Sequence, residues 1–224
     1  MLPERLVGAE GWEVAWDYHP SGRAEVGGDF YDAFPLDDGR YVFFIGDVMG
    51  RGVAAAAAMA QMRSAVRAFA SVDPDPAVVV GKADRMLVRY GMDQLVTLVY
   101  AVADRGSGTL TLTNAGHPPL MLLRGDGLVE ALPYADGPPL GVAPGERGEV
   151  VVAFEPGATL LAFTDGLVER RDEDIREGLA RLEDALPMLA GDPLRSGLER
   201  VVRAVRDDTY DDDTAVLALR STRT

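Results

Sequence analysis

The stretch DFYDAFPLDDGRYVFFIGDVMGRG, residues 29–52, sets two apolar runs on either side of Asp38-Gly39 and then places an aspartate among glycines. Asp-Gly between apolar runs is a hairpin signal, so the stretch predicts two long paired strands. The second run reads as a buried strand, yet it ends on Asp47. Burying a lone carboxylate costs several kcal/mol, so such a group neutralises, pairs or binds a cation.

Upstream, WEVAWDYHP reads as a further strand; downstream, VAAAAAMAQMRSAVRAFA carries Met59, Met62, Val66 and Phe69 at helical spacing. A second helix is announced by Asp75 as N-cap and Pro76 at the first position, with Gly91 as its stop. Val79, Ala83, Met86, Leu87 and Tyr90 form its expected apolar face. The pattern then becomes extended: LVTLVYAVA, TLTLTNAG, PLMLLRG, GLVEAL, EVVVAF and ATLLAFTDG, which predicts a meander of antiparallel strands. Amphipathic helices around residues 175–189 and 194–205 precede the closing strand TAVLALR. This order predicts an α+β fold of layered antiparallel sheets with helices on the outer faces.

The 224 residues, 47% of them hydrophobic, suffice for one sizeable core, and no linker richer than an ordinary turn divides them. A single domain over residues 1–224 is expected, and the abrupt opening MLPERL suggests a segment excised from a longer protein. Absence of cysteine excludes disulfides and Cys-based zinc sites and suits a cytoplasmic setting. No apolar run approaches the roughly 20 residues that span a bilayer. With 36 acidic against 22 basic residues and a formal charge of -14, the chain repels nucleic acid and anionic membranes. The arginines between 195 and 206 read as a solvated helix face.

Four aspartates share a strand-end context: Asp29 in EVGGDFYD, Asp47 after FFIG, Asp165 after LLAFT, and Asp211 at the head of DDDT. Arg51, Arg170 and Arg171 are local partners at best. Hard divalent cations match oxygen donors, whereas zinc or copper would ask for His or Cys, and the chain has two histidines and no cysteine. Two such ions about 3.5–4 Å apart can activate a water as nucleophile for phosphoryl chemistry. Gly46, Gly50 and Gly52 would let the backbone turn so that a main-chain carbonyl also faces an ion. Any one Gly-Asp or Asp-Gly pair is an ordinary turn; it is the four placements together that point to a site.

VGGDFYD, GDVMGRG followed by an alanine-rich helix, NAGHPPLMLLR, FTDGLVE and DDDTAVLAL occur in the order and spacing of the bacterial stage II sporulation protein E type phosphatases. The sequence resembles this branch of the metal-dependent protein phosphatases, related to protein phosphatase 2C, from about Leu2 to Arg220. The resemblance implies a β-sandwich flanked by helices, hydrolysis of phosphoserine or phosphothreonine in proteins, and two Mn²⁺ or Mg²⁺ ions. Carried over by position, Asp47 looks like the carboxylate bridging both ions, with the Val48 carbonyl and Asp29 on one of them. Asp165 and Asp211 look like ligands of the other, with Asp212 in reserve. Asp47 and Asp165 would then be catalytic through the water the ions activate. Asp32 is assigned a hydrogen-bonding or turn role, Asp136 to loop chemistry and His19 to a loop. His117 is weighed as a proton donor and assigned a structural role in its turn. Met49 stands where eukaryotic relatives carry a histidine.

By the same resemblance the substrate is a phosphorylated anti-sigma-factor antagonist, and an upstream sensory domain acts through the helical pair at residues 53–70 and 77–90, a switch that also offers a surface for a homodimer. Loops after Asp165 and before Asp136 are the expected docking surface. Competing readings are a phosphatase-like binding module without turnover and a small-molecule phosphohydrolase; no phosphate-binding P-loop is present.

Overall fold

The computed structural model describes residues 2–3, 5–20, 27–90, 94–133, 137–142, 145–191, 193–207 and 212–222. Its strands are β1 (Trp12–His19), β2 (Asp29–Pro35), β3 (Tyr41–Val48), β4 (Val96–Asp104), β5 (Thr109–Ala115), β6 (Met121–Leu123), β7 (Val129–Ala131), β8 (Val150–Ala153), β9 (Thr159–Phe163) and β10 (Thr214–Ser221). The helices are α1 (Val53–Val72), α2 (Pro76–Arg89), α3 (Ile175–Ala185) and α4 (Leu194–Val205). Two antiparallel five-stranded sheets result, ordered β1-β10-β9-β6-β7 and β2-β3-β4-β5-β8. The α+β sandwich expected from the sequence is therefore present. The meander is not: after β5 the chain crosses to the other sheet for β6 and β7, returns for β8 and crosses again for β9.

The hairpin forms as read, with Pro35 opposite Tyr41 and Gly39 at φ 85° closing the turn. Strands β2 and β3 are buried on both faces, so neither shows polar alternation. Tyr31, Ala33, Tyr41, Phe43 and Ile45 face the other sheet, where they meet Leu160, Ala162, Leu217 and Leu219. Phe30, Phe34, Val42 and Phe44 face the opposite way, onto α1 and α2. Small Ala55 and Ala58 let α1 lie close to this sheet, while Met59, Met62 and Val66 fill the space between. A third cluster joins Leu161, Phe163, Val216 and Ala218 to α3 and α4, completing a helix–sheet–sheet–helix stack.

Asp75 caps α2, accepting from the Val78 N–H at 2.9 Å, with Pro76 in the first turn. Tyr90, expected on the buried face of this helix, instead caps its end and is 73% exposed. Gly91 lies outside the described residues. The helix predicted over 175–189 is α3 followed by a 3-10 turn, Leu186–Ala190. Pro187 has no N–H to donate, which ends the α-helical ladder there. Helix α1 starts from Gly52 without a side-chain cap, and both Gly50 (φ 111°) and Gly52 (φ 85°) occupy backbone conformations that other residues disfavour. Gly46 does not serve the turn; it sits in β3 where a Cβ would strike the Phe30 ring and the Thr97 carbonyl.

Candidate metal centre

Strand parity carries Asp29, Asp47 and Asp213 to one place, and the 3-10 turn Asp165–Leu167 after β9 brings Asp165 beside Asp47. In β3, Asp47 continues the Tyr41, Phe43, Ile45 series that faces the other sheet, and in β2 Asp29 shares the face of Tyr31 and Ala33. Asp29 and Asp47 are direct cross-strand partners. Thr164 continues the series of Leu160 and Ala162, and Asp213 precedes the series of Ala215, Leu217 and Leu219. The inter-sheet core thus ends, at one edge of the sandwich, in a layer of carboxylates.

Asp29 is 2% exposed and accepts a 2.7 Å hydrogen bond from the Thr164 hydroxyl, whose oxygen in turn accepts the Ala215 N–H at 2.9 Å. Burial, then the charge of Asp47, pushes the Asp29 carboxyl well above the usual carboxylate range. Asp47 rises to about 6, first through burial and then through Asp212. Asp165 rises to about 7 through burial, with Asp47, Glu169 and Asp212 adding to it. Its Oδ1 accepts the Gly166 N–H at 2.9 Å. Asp212, half-buried, is also raised, chiefly by burial, and lies 3.5 Å from the Arg51 guanidinium. These shifts have one pattern: carboxylates withdrawn from water and repelling one another.

The structure brings Asp29, Asp47 and Asp165 together as expected and adds the reserve candidate Asp212. Asp211 and Asp136 lie outside the described residues. Val48 is fully buried, and its N–H donates to the Gly28 carbonyl at 3.2 Å. A Cβ added at Gly28 would overlap both the Val48 carbonyl oxygen and Asp47 Oδ1, so these two oxygens converge on a cradle that only glycine leaves open. Asp213 and Thr164 were missed from sequence; the readable signal was their odd-even phase with the adjoining strands. Asp213 is 6% exposed, and its carboxylate occupies the space a side chain at Gly27 would need.

Asp32 is turned the other way. Three residues on from Asp29, it shares the helix-facing side of β2 and accepts from Arg63 and Arg67 of α1, both at 2.9 Å. Its role is to bind α1 to the sheet. Arg170 pairs with Glu173 and Asp207. His19 is the last residue of β1, opposite Thr214, and not in a loop. His117 is buried with Nδ1 2.9 Å from the Thr97 hydroxyl and Nε2 3.1 Å from the Phe163 carbonyl. The carbonyl can only accept, so Nε2 carries the proton and Nδ1 accepts from Thr97. Burial holds the ring near a pKa of about 3, hence neutral. Thr97 is the cross-strand partner of Asp47, and Phe163 lies two residues before Asp165. His117 therefore links β4, the strand paired with that of Asp47, to the end of β9, from which the chain turns into Asp165.

The donor set consists of carboxylates and one main-chain carbonyl, which suits Mg²⁺ or Mn²⁺ and not zinc or copper. Among the described residues no three acidic or imidazole side chains form a complete set on one ion. The fit rests on the donor chemistry and on the cradle at Gly28.

Residues 37–222 match the family model of stage II sporulation protein E (SpoIIE). The chain is 29% identical over 199 residues to protein IcfG of Synechocystis, covering 76% of the chain and 31% of that relative. It is 26% identical over 163 residues to phosphoserine phosphatase RsbP of Bacillus subtilis, covering 70% and 40%. It thus spans well under half the length of these curated relatives. The solved structure of the RsbU and RsbW domains of Rv1364c from Mycobacterium tuberculosis superposes with a TM-score of 0.84 at 29% identity, over 96% of this chain and 63% of that one. With motifs, sandwich topology and a match over most of its length in agreement, the chain belongs to the stage II sporulation protein E family.

Proposed function

We propose that the chain hydrolyses phosphoserine or phosphothreonine in a partner protein, using two Mn²⁺ or Mg²⁺ ions. The observation that carries this reading is the buried carboxylate layer at the sandwich edge, whose members raise one another's pKa and whose chemistry asks for hard cations. Asp47, Asp29 and the Val48 carbonyl would hold one ion; Asp47, Asp165 and Asp211 would hold the other, with Asp212 as neighbour. When bound, the ions supply an activated water and neutralise charge growing on the phosphoryl group. Thr164 keeps Asp29 oriented through its hydroxyl, and Gly28 keeps the Val48 carbonyl accessible. Neutral His117 has both ring nitrogens committed, so it positions Asp47 and Asp165 and does not deliver a proton to the leaving oxygen.

Family membership and a phosphoserine phosphatase among the relatives support phosphoserine as the group hydrolysed, and from the resemblance of the motifs we read the substrate as a phosphorylated anti-sigma-factor antagonist. We read the segment as one cytoplasmic domain of a longer protein with an upstream sensory region. Helices α1 and α2 would be its switch, since α1 leaves directly from the Asp47 loop, and exposed Val72, Val88 and Tyr90 offer a surface for a homodimer. No helix among the described residues is long and apolar enough to cross a membrane. The test is hydrolysis of a small phosphate ester and of a phosphoprotein across a Mn²⁺ titration. Asp47→Asn and Asp165→Asn should each lower kcat/KM about 100-fold or more, since each removes an interaction with charge in the transition state; variant rates equal to the wild type would refute the two-ion reading.

A further inference from the structure

A groove of about 370 Å³ opens beside the carboxylate layer, with Asp47 and Asp165 in its lining. One wall is the turn Gly116–Pro119; the other is formed by Ile175 and Leu179 on the first two turns of α3. Ile175 is 40% exposed although the groove around it is apolar, and Leu179 is half-buried. Both walls are braced by hydrogen bonds and close packing. Asn114 accepts the His117 N–H at 2.8 Å and donates to the His117 carbonyl at 2.9 Å, and Gly116 at φ 69° lies against Pro139. On the opposite side Gly178 packs so close to the Val168 carbonyl that a Cβ would overlap it, and Asp174 caps the helix through the Arg176 N–H. The groove is thus pinned to the same segments that carry Asp165 and the Thr97–His117 link.

A larger cavity of about 440 Å³ lies around the far end of β10, but its Arg220 is already engaged by Glu13, Thr159 and the carbonyls of Leu189 and Gly191. The groove differs in being continuous with the candidate centre and in offering apolar surface with no partner of its own. We propose that it is a specificity subsite, binding the apolar side chain of a residue that flanks the phosphorylated serine or threonine of a protein substrate. The proposal rests on the phosphatase reading given above. A phosphate held by the cations at the carboxylate layer would leave the peptide's neighbouring side chains over Pro118, Pro119 and Ile175, where an aliphatic group removes apolar surface from water. An acidic flanking residue would meet Glu169 and the carboxylate layer instead.

The experiment is a Mn²⁺-supported comparison of phosphopeptides that differ only in flanking Leu, Lys or Asp, with a small phosphate ester alongside. The wild type should favour the Leu peptide over the Asp peptide at least ten-fold in kcat/KM. Ile175→Asp should shift the preference to the Lys peptide, and Ile175→Lys to the Asp peptide; the position is exposed, so both variants should fold, which circular dichroism verifies. Equal rates for all peptides, or preferences untouched in both variants, would overturn the subsite and leave the phosphatase reading standing. Absence of Mn²⁺-dependent hydrolysis of peptides and ester alike would overturn the phosphatase reading, and the subsite with it.

Discussion

Replacing Asp165 by asparagine should stabilise the metal-free protein while destroying its response to divalent cations. Asp165 is raised from the usual carboxylate value of 3.8 to about 7, by burial first and by Asp47, Glu169 and Asp212 next. A carboxyl whose folded pKa exceeds its unfolded one leaves the folded state binding more protons. Its contribution to stability is full below about pH 4 and is lost as pH rises through 7. Each pKa unit corresponds to about 1.4 kcal/mol, so the ionised group costs up to about 4 kcal/mol at pH 8, and about 2–4 kcal/mol after allowing for its partial exposure. Asparagine is isosteric, can keep the bond from the Gly166 N–H and carries no charge. In EDTA at pH 8, urea denaturation should place Asp165→Asn about 2–4 kcal/mol above the wild type, and at pH 4 the two should converge. Saturating Mn²⁺ should reverse the order at pH 8, because ligand binding stabilises only the protein that retains the site. A variant no more stable than wild type in EDTA at pH 8 would refute the argument that these carboxylates are held together against their own repulsion.

Three further outcomes are expected. Arg147 and Asp84 form a buried ion pair at 2.6 Å that joins α2 to the segment around Pro138 and Gly141; Arg147→Met should cost about 3–5 kcal/mol in urea denaturation, and pairing it with Asp84→Leu should restore more than half. Gly28→Ala should weaken Mn²⁺ binding measured by calorimetry at least ten-fold, since its Cβ would take the place where Val48 and Asp47 oxygens converge; unchanged affinity would remove the cradle from the site. His117→Leu should lower stability by about 2–4 kcal/mol by leaving Thr97 and the Phe163 carbonyl without their partner. Between pH 5 and 8 the kcat/KM profile of the wild type should show no limb that this variant abolishes, because the ring stays neutral throughout.

Local signals in the sequence carry most of the elements and the candidate ligands. The Asp38-Gly39 turn, the caps at Asp75 and Pro76, and the helical spacing of Met59, Met62 and Val66 are local signals, and each is present in the structure. Asp29, Asp47 and Asp165 were legible because a carboxylate at the end of an apolar run violates the pattern around it. Only the tertiary structure decided which way each side chain faces. Strands β2 and β3 are apolar on both sides, so their alternation carries no label for the inter-sheet face, and nothing local distinguishes Asp29, at the candidate centre, from Asp32, bonded to α1. Asp213 and Thr164 lie in readable phase with β10 and β9, but which face of those strands meets the other sheet is set by packing. Likewise the tautomer of His117 and the groove beside it depend on Phe163 and Ile175, 46 and 58 residues further along the chain. Packing of two sheets and their covering helices sets those contacts, and no spacing within a single element encodes them.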